Sequence, residues 1–101
     1  SKKVGDRLLA GLRKLQQKNE RVGDVRGMGL MVGVELIKDK KLKEFAPELT
    51  VRVVESMKDQ GVLVGKGGLE GNTLRIQPPM CWTVQDADRT VAALEQALKD
   101  A

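Results

Sequence analysis

Apolar positions along the chain follow two spacings. Val4, Leu8, Leu12 and Leu15 recur every three or four residues and share one face of a helix predicted over 3–19. "RVGDVRG" (21–27) and "LMVGVELIKD" (30–39) read as two strands, with a tight turn or bulge where Gly27 and Gly29 flank Met28. In the second strand Leu30, Val32, Val34 and Leu36 share one face and Met31 and Ile37 the other, with Gly33 and Glu35 between. A sheet covered on one side alternates more cleanly, so the second face is expected to meet something.

"KDKKLKEFAPE" (38–48) is a charged connection in which Pro47 suits the first residue of a helix. Leu49, Val53, Val54 and Met57 give that helix its apolar stripe, and Gly61 ends it as a C-terminal cap. "VLVG" (62–65) reads as a short buried strand and "KGGLEGN" (66–72) as a loop with three glycines. "TLRIQ" (73–77) is the last strand, stopped by Pro78 and Pro79. Thr83 with Asp86 makes a capping-box-like start to a closing helix lined by Ala87, Val91, Leu94 and Leu98. The predicted fold is α+β in the order α-β-β-α-β-β-α: one domain over 1–101, its helices packed on one face of a small, mainly antiparallel sheet.

Composition narrows the chemistry. The 101 residues are 41% hydrophobic and 32% charged, as in a soluble globular domain. No apolar run is long enough to span a membrane, and the amphipathic start does not read as a signal peptide. The absence of an initiator Met suggests a fragment or a processed chain. Cys81 is the lone cysteine, which fits a reducing, intracellular compartment, cytoplasmic or mitochondrial. With no histidine and no C-x-x-C, His-based metal sites and Ser/His or Cys/His nucleophile pairs are excluded; neither a metal ligand nor a catalytic residue stands out.

Net charge is +4, concentrated in residues 1–22, where seven Lys/Arg face two Asp/Glu. Lys3, Arg7, Lys14, Lys18 and Arg21 form a basic stripe, read either as a solvated surface or as a site for an anion or a partner. Nucleic-acid binding would interleave such residues with aromatics, and only Phe45 and Trp82 are aromatic. "RGMGLMVG" (26–33) spaces its glycines as G-x-G-x-x-x-G and lies between two strands, so it offers no helix N-terminus to a phosphate. Trp82 reads as a packing residue and Cys81 as a small buried hydrophobe.

Arg75 is the sharpest residue. It stands between Leu74 and Ile76 and points away from their face. Its carboxylate partner is either Glu35, on the neighbouring strand, or a ligand gripped by the planar guanidinium. "GKGGLEGN" (65–72) is a candidate anion cradle, with Lys66, Gly67 and Gly68 as loop contacts; the plainer reading is a hairpin loop.

The strings "VGDVRGMGLMVGVEL" (22–36), "GVLVGKGG" (61–68) and "LRIQPPMCWT" (74–83) resemble, in order, the C-terminal small domain of class III, fold-type-I aminotransferases. Their alanine–glyoxylate aminotransferase type 2-like branch is the nearest likeness. The resemblance spans nearly the whole chain and rests on the pair "RG-x-GL-x-x-G-x-E" and "R-x-x-PP". It implies a pyridoxal-phosphate enzyme in full length, with Arg75 on the substrate carboxylate and the "VGKGG" loop near the mouth of the site. The second face of strand 30–39 would meet the large domain or, in a bare domain, another copy of the chain.

The family's cofactor lysine, its aspartate on the pyridine nitrogen and most phosphate contacts belong to the large domain, and no segment here matches them. Lys66 is not that lysine. The resemblance therefore implies a small domain that positions an amino or keto acid in the full enzyme, binds no cofactor by itself and does not transaminate alone. The alternatives are a weak binding module for small carboxylates and a structural or engineered scaffold. Neither nucleic acid nor membrane is an expected partner.

Overall fold

The computed structural model describes residues 2–28, 31–37, 47–61, 64–67, 73–78 and 82–100. Seven elements follow in the predicted order: α1 (Lys2–Lys18), β1 (Val22–Met28), β2 (Met31–Leu36), α2 (Pro47–Asp59), β3 (Gly65–Gly67), β4 (Thr73–Ile76) and α3 (Val84–Asp100). The strands form one antiparallel sheet in the order β1-β2-β4-β3. Helices α1 and α2 pack against the sheet, and α3 packs against both helices.

One face of the sheet is the floor of the core. Val25, Val34 and Leu74 stand side by side across three strands, and Val32 pairs with Ile76 in the next inward row. All five are buried in one cluster with Leu8, Leu12 and Leu15 of α1, Val53 and Met57 of α2, and Leu94 and Leu98 of α3. Each such side chain contributes about 1.5–3 kcal/mol on burial. The predicted helical stripes are therefore the buried ones, except that Val54 and Val91 are only half-buried at the edge of the core.

Local signals explain the boundaries. A turn over Asn19–Val22 leads α1 into β1: the Val22 N–H donates to the Asn19 carbonyl at 3.2 Å, and the Asn19 side chain accepts from the Arg21 N–H at 3.0 Å. Gly61 has φ +86°, and its N–H donates to the Lys58 carbonyl, which closes α2 as expected. The Thr83–Asp86 box caps α3: the Thr83 N–H donates to the Asp86 carboxylate at 2.8 Å and the Asp86 N–H to the Thr83 hydroxyl at 3.3 Å. At the far end of α3 the Arg21 guanidinium donates to the Leu98 carbonyl, where a helix leaves acceptors unpaired.

The direct pairing of Met28 with Met31 agrees with the tight turn expected between β1 and β2, and a bulge that was not expected lies at Gly23, between Val22 and Asp24. Val22 and Val25 are three residues apart, and the extra residue turns both into the core. Val64, expected in a strand over 62–65, lies outside β3. β3 begins at Gly65 and takes in Lys66 and Gly67, expected in a loop, because main-chain pairing with β4 outweighs the poor strand preference of glycine. Val62, Leu63 and Gly68 lie outside the described residues, as does the connection 38–46.

The second face of the sheet is mixed among the described residues: Met31 and Ile37 stand on it as expected, Ile37 buried over Gly23, and Asp24, Arg26, Gly33, Glu35, Thr73 and Arg75 occupy the rest. The large hydrophobic exposed among the described residues is Val51, on α2. The face on which self-association was expected thus carries both apolar and polar residues.

The α1–α3 contact closes most tightly at Gly11, where an added Cβ would lie 2.9 Å from Val91 Cγ2. Gly5, in the same helix, has nothing within 4 Å of that position. Gly5→Ala is expected to stabilise the chain by about 0.5–1 kcal/mol in urea unfolding. Gly11→Ala should lose that gain to overpacking of about 1–3 kcal/mol, and Gly11→Ala/Val91→Ala should recover part of it.

Candidate functional site

The core places Arg75. Leu74 and Ile76 are 0% and 2% exposed on the inward face of β4, so the residue between them must stand on the other side. Arg75 is exposed there, and among the described residues it makes no ion pair or hydrogen bond. The inward rows thus turn a guanidinium outward with its donors free.

Strand register gives Arg75 its neighbours. Arg75 lies opposite Gly33 of β2 and opposite Gly65 of β3, and Gly33 in turn lies opposite Arg26 of β1. The row across the outer face therefore reads Arg26, Gly33, Arg75, Gly65. The next row reads Asp24, Glu35, Thr73, Gly67. Neither strand beside Arg75 puts a side chain directly next to it.

The internal partner proposed for Arg75 is not taken up. Glu35 is half-buried one row away, opposite Thr73, and no ion pair joins it to Arg75. Arg26 differs from Arg75, because its Nε is hydrogen-bonded to the Asp24 carboxylate. The row holds two arginines, one neutralised within β1 and one open.

The other candidate residues are placed as follows. Lys66 stands in β3 opposite Leu74, and Gly67 stands opposite Thr73. The β3 residue that shares the Arg75 row is Gly65, which sequence reading missed. The missed signal was the register, since a strand of glycine and lysine carries no apolar alternation to reveal it. Trp82 packs against the core as expected, and Cys81 lies outside the described residues.

The basic stripe of α1 is largely occupied within the chain. Arg7 Nε and Nη2 donate to the two carboxylate oxygens of Asp88 at 2.9 and 3.0 Å, and Lys18 lies 3.1 Å from Glu95. Both acids belong to α3, so these pairs tie the first helix to the last. Arg21 caps α3. The hydrogen bond from Arg7 holds the Asp88 carboxyl below its ordinary range, and the same bond raises Arg7.

A groove of about 350 Å³ lies between these pairs, floored by Gly11, Leu15 and Val91 and flanked by Lys14. It sits on the helical side, away from the outer face that carries Arg75. Among the described residues no aromatic side chain lines it, and Lys3, Lys14, Lys18, Lys58 and Lys99 are all exposed. A pyridine-ring cofactor held by a covalently bonded lysine does not fit this groove. Among the described residues no cluster of metal ligands forms, and no helix is long and apolar enough to cross a membrane.

Comparison with known proteins gives these residues a context. The chain matches the family described as "Aminotransferase class-III" over residues 1–98. It is 50% identical over 95 residues to an Arabidopsis thaliana protein named "Alanine--glyoxylate aminotransferase 2 homolog 2, mitochondrial", covering 94% of this chain and 20% of that one. It is 39% identical to "Leucine/methionine racemase" of Thermococcus litoralis, covering 99% of this chain and 22% of the relative. Among solved structures, a phospholyase from Arthrobacter in complex with phosphoethanolamine superposes with a TM-score of 0.90 at 31% identity, over 98% of this chain and 24% of that one. The chain spans about a fifth of the length of the curated relatives it matches.

Two outcomes follow. Arg75→Ala should change stability by less than about 0.5 kcal/mol, because none of the described residues pairs with the side chain; Leu74→Ala should cost about 2–5 kcal/mol. Chemical denaturation measures both. The Asp88 carboxyl has a folded value below its unfolded one, so the stability it contributes is present above the unfolded value, about 3.9, and is lost as pH falls through the folded value. The stability difference between the parent chain and Asp88→Asn should be largest near neutral pH, shrink below about pH 4, and shrink in high salt because the pair is exposed.

Proposed function

The chain belongs to the class III aminotransferase family, and from that premise we propose that it acts as the small domain of a pyridoxal-phosphate enzyme, where Arg75 positions the carboxylate of an amino or keto acid. The observation that carries this reading is the state of Arg75: exposed, without an internal partner among the described residues, and flanked in its row by glycines. A fixed guanidinium suits a carboxylate because two parallel N–H donors meet two oxygens.

The relatives' names agree in one chemical feature. The aminotransferase and the racemase are named for different reactions, yet alanine, glyoxylate, leucine and methionine all carry a carboxylate. The phosphoethanolamine bound by the structural neighbour carries a phosphate oxyanion instead. An arginine that holds the anionic end of the substrate serves all of these, whatever bond is broken elsewhere.

Pyridoxal phosphate, when bound to a full-length member of the family, supplies the electron sink for chemistry at the amino-bearing carbon. The groove between α1 and α3 does not fit that group, and on this reading its lysine and its phosphate cradle belong to the large domain. The work assigned to this chain is to bind and orient. Its outer face would lie against the large domain, with Arg75 at the join. The chain alone is expected to be inactive.

A chimaera tests the assignment. The corresponding segment of the Arabidopsis relative is replaced by this chain, and alanine–glyoxylate transfer is followed. The chimaera should be active, and Arg75→Ala should lower kcat/KM by about 10²-fold or more, as expected for losing a buried charge-assisted contact of roughly 3 kcal/mol. An active chimaera indifferent to Arg75→Ala would remove Arg75 from the substrate. A folded, cofactor-loaded chimaera without activity would count against the small-domain assignment.

A further inference from the structure

The two flanks of Arg75 are not equivalent. On the β2 side Gly33 is buried, and beyond it Arg26 is already held by Asp24. On the β3 side Gly65 is exposed, and β3 is the edge of the sheet. Among the described residues, the open approach to the guanidinium lies over Gly65.

Nothing in the local backbone requires a glycine there. Gly61 has the positive φ that a side chain resists, whereas Gly65 does not. A Cβ built on Gly65 would meet the Arg75 Cβ at 3.7 Å and the Arg75 carbonyl oxygen at 3.8 Å, which are ordinary van der Waals distances. By contrast, a Cβ at Gly11 would lie 2.9 Å from Val91 Cγ2 and one at Gly23 would lie 3.0 Å from Ile37 Cγ2, so a neighbour would have to shift. Glycine weakens a strand that it does not need to bend, and β3 is only three residues long. What the missing side chain does provide is a clear flank for Arg75.

We infer that Gly65 is a specificity-determining position: its bare backbone is the surface over which a small oxyanion reaches the Arg75 guanidinium. The inference rests on the reading of Arg75 as the carboxylate-binding residue and adds a direction of approach and a size limit. A carboxylate is planar and can lie against the strand beside the arginine. A branched or extended side chain at position 65 would stand in the same space, because the register places it directly alongside Arg75. The ligand class is a small carboxylate or another compact oxyanion whose charged end is unhindered.

The test uses the chain itself, isotope-labelled, titrated with pyruvate while the Arg75 side-chain Nε–H signal is followed. Four proteins are compared: the parent, Gly65→Ala, Gly65→Leu and Arg75→Ala, the last followed through the β4 amides. Binding is weak for a single exposed contact, so the initial slope of the shift against concentration is read. The parent should respond, Gly65→Ala by about half as much and Gly65→Leu at least about fivefold less, with the Leu74 and Ile76 methyl signals unmoved as evidence of an intact sheet. Arg75→Ala should abolish the response.

A Gly65→Leu protein that responds like the parent, while Arg75→Ala does not respond, overturns the role of Gly65 and leaves Arg75 in place. A response that survives in Arg75→Ala, or is absent from the parent, overturns the Arg75 reading and the inference with it. Should Gly65→Leu disturb the sheet methyls, Gly65→Ala decides: a slope equal to that of the parent counts against the inference.

Discussion

Burial of the inward face of the sheet is the constraint on which the rest depends. Val25, Val34 and Leu74 in one row, with Val32 and Ile76 in another, must all lie under the helices. Side chains alternate along a strand, so a slip of one residue in β4 would exchange Leu74 and Ile76 for Thr73 and Arg75. That exchange would expose two aliphatic side chains, each worth about 1.5–3 kcal/mol when buried. It would also bury an unpaired guanidinium, at a further cost of several kcal/mol. The apolar rows therefore determine where the arginine points. The side chain with the functional assignment contributes almost nothing to the fold, and the fold contributes almost everything to its placement.

The helical layer uses a different balance. Apolar stripes from α1, α2 and α3 fill the core, while charges at the rim align α1 against α3. The exposed pairs Arg7–Asp88 and Lys18–Glu95 are weak individually. Their effect is in register: with Gly11 fitted against Val91 between them, they favour one sliding position of the two helices. Arg21 adds a hydrogen bond to the last turn of α3. Three residues of the basic stripe are thus engaged by the closing helix, Arg7 and Lys18 by its acids and Arg21 by its last turn.

Much of this was readable from the chain alone. The helical stripes, Pro47 at the start of α2, Gly61 at its end and the Thr83–Asp86 box all rest on local physical chemistry, and they stand where local rules put them. The outward direction of Arg75 was legible too, because Leu74 and Ile76 flank it at strand spacing. Register was not legible. The bulge at Gly23 shows in sequence only as two valines three apart, and β3 carries no apolar pattern. The row Arg26–Gly33–Arg75–Gly65 is therefore a product of pairing between distant segments. So is the fate of Glu35, which has the right charge for Arg75 and lies on its face, yet stands one row away. Residue spacing left the choice between an internal ion pair and an open arginine undecided; among the described residues no ion pair joins Arg75 to Glu35.

The central claim is that the core holds Arg75 outward as an unpaired cation. The most direct measurement is hydrogen exchange at the Arg75 guanidinium in the isolated chain, with nuclear Overhauser contacts recorded from its Nε–H. The account predicts exchange as fast as in an unstructured peptide and no contact to the Glu35 side chain, alongside slow exchange of the β4 backbone amides. A protected Nε–H with a contact to Glu35 would contradict it, and would make Arg75 a structural ion pair rather than a hand held out to a ligand.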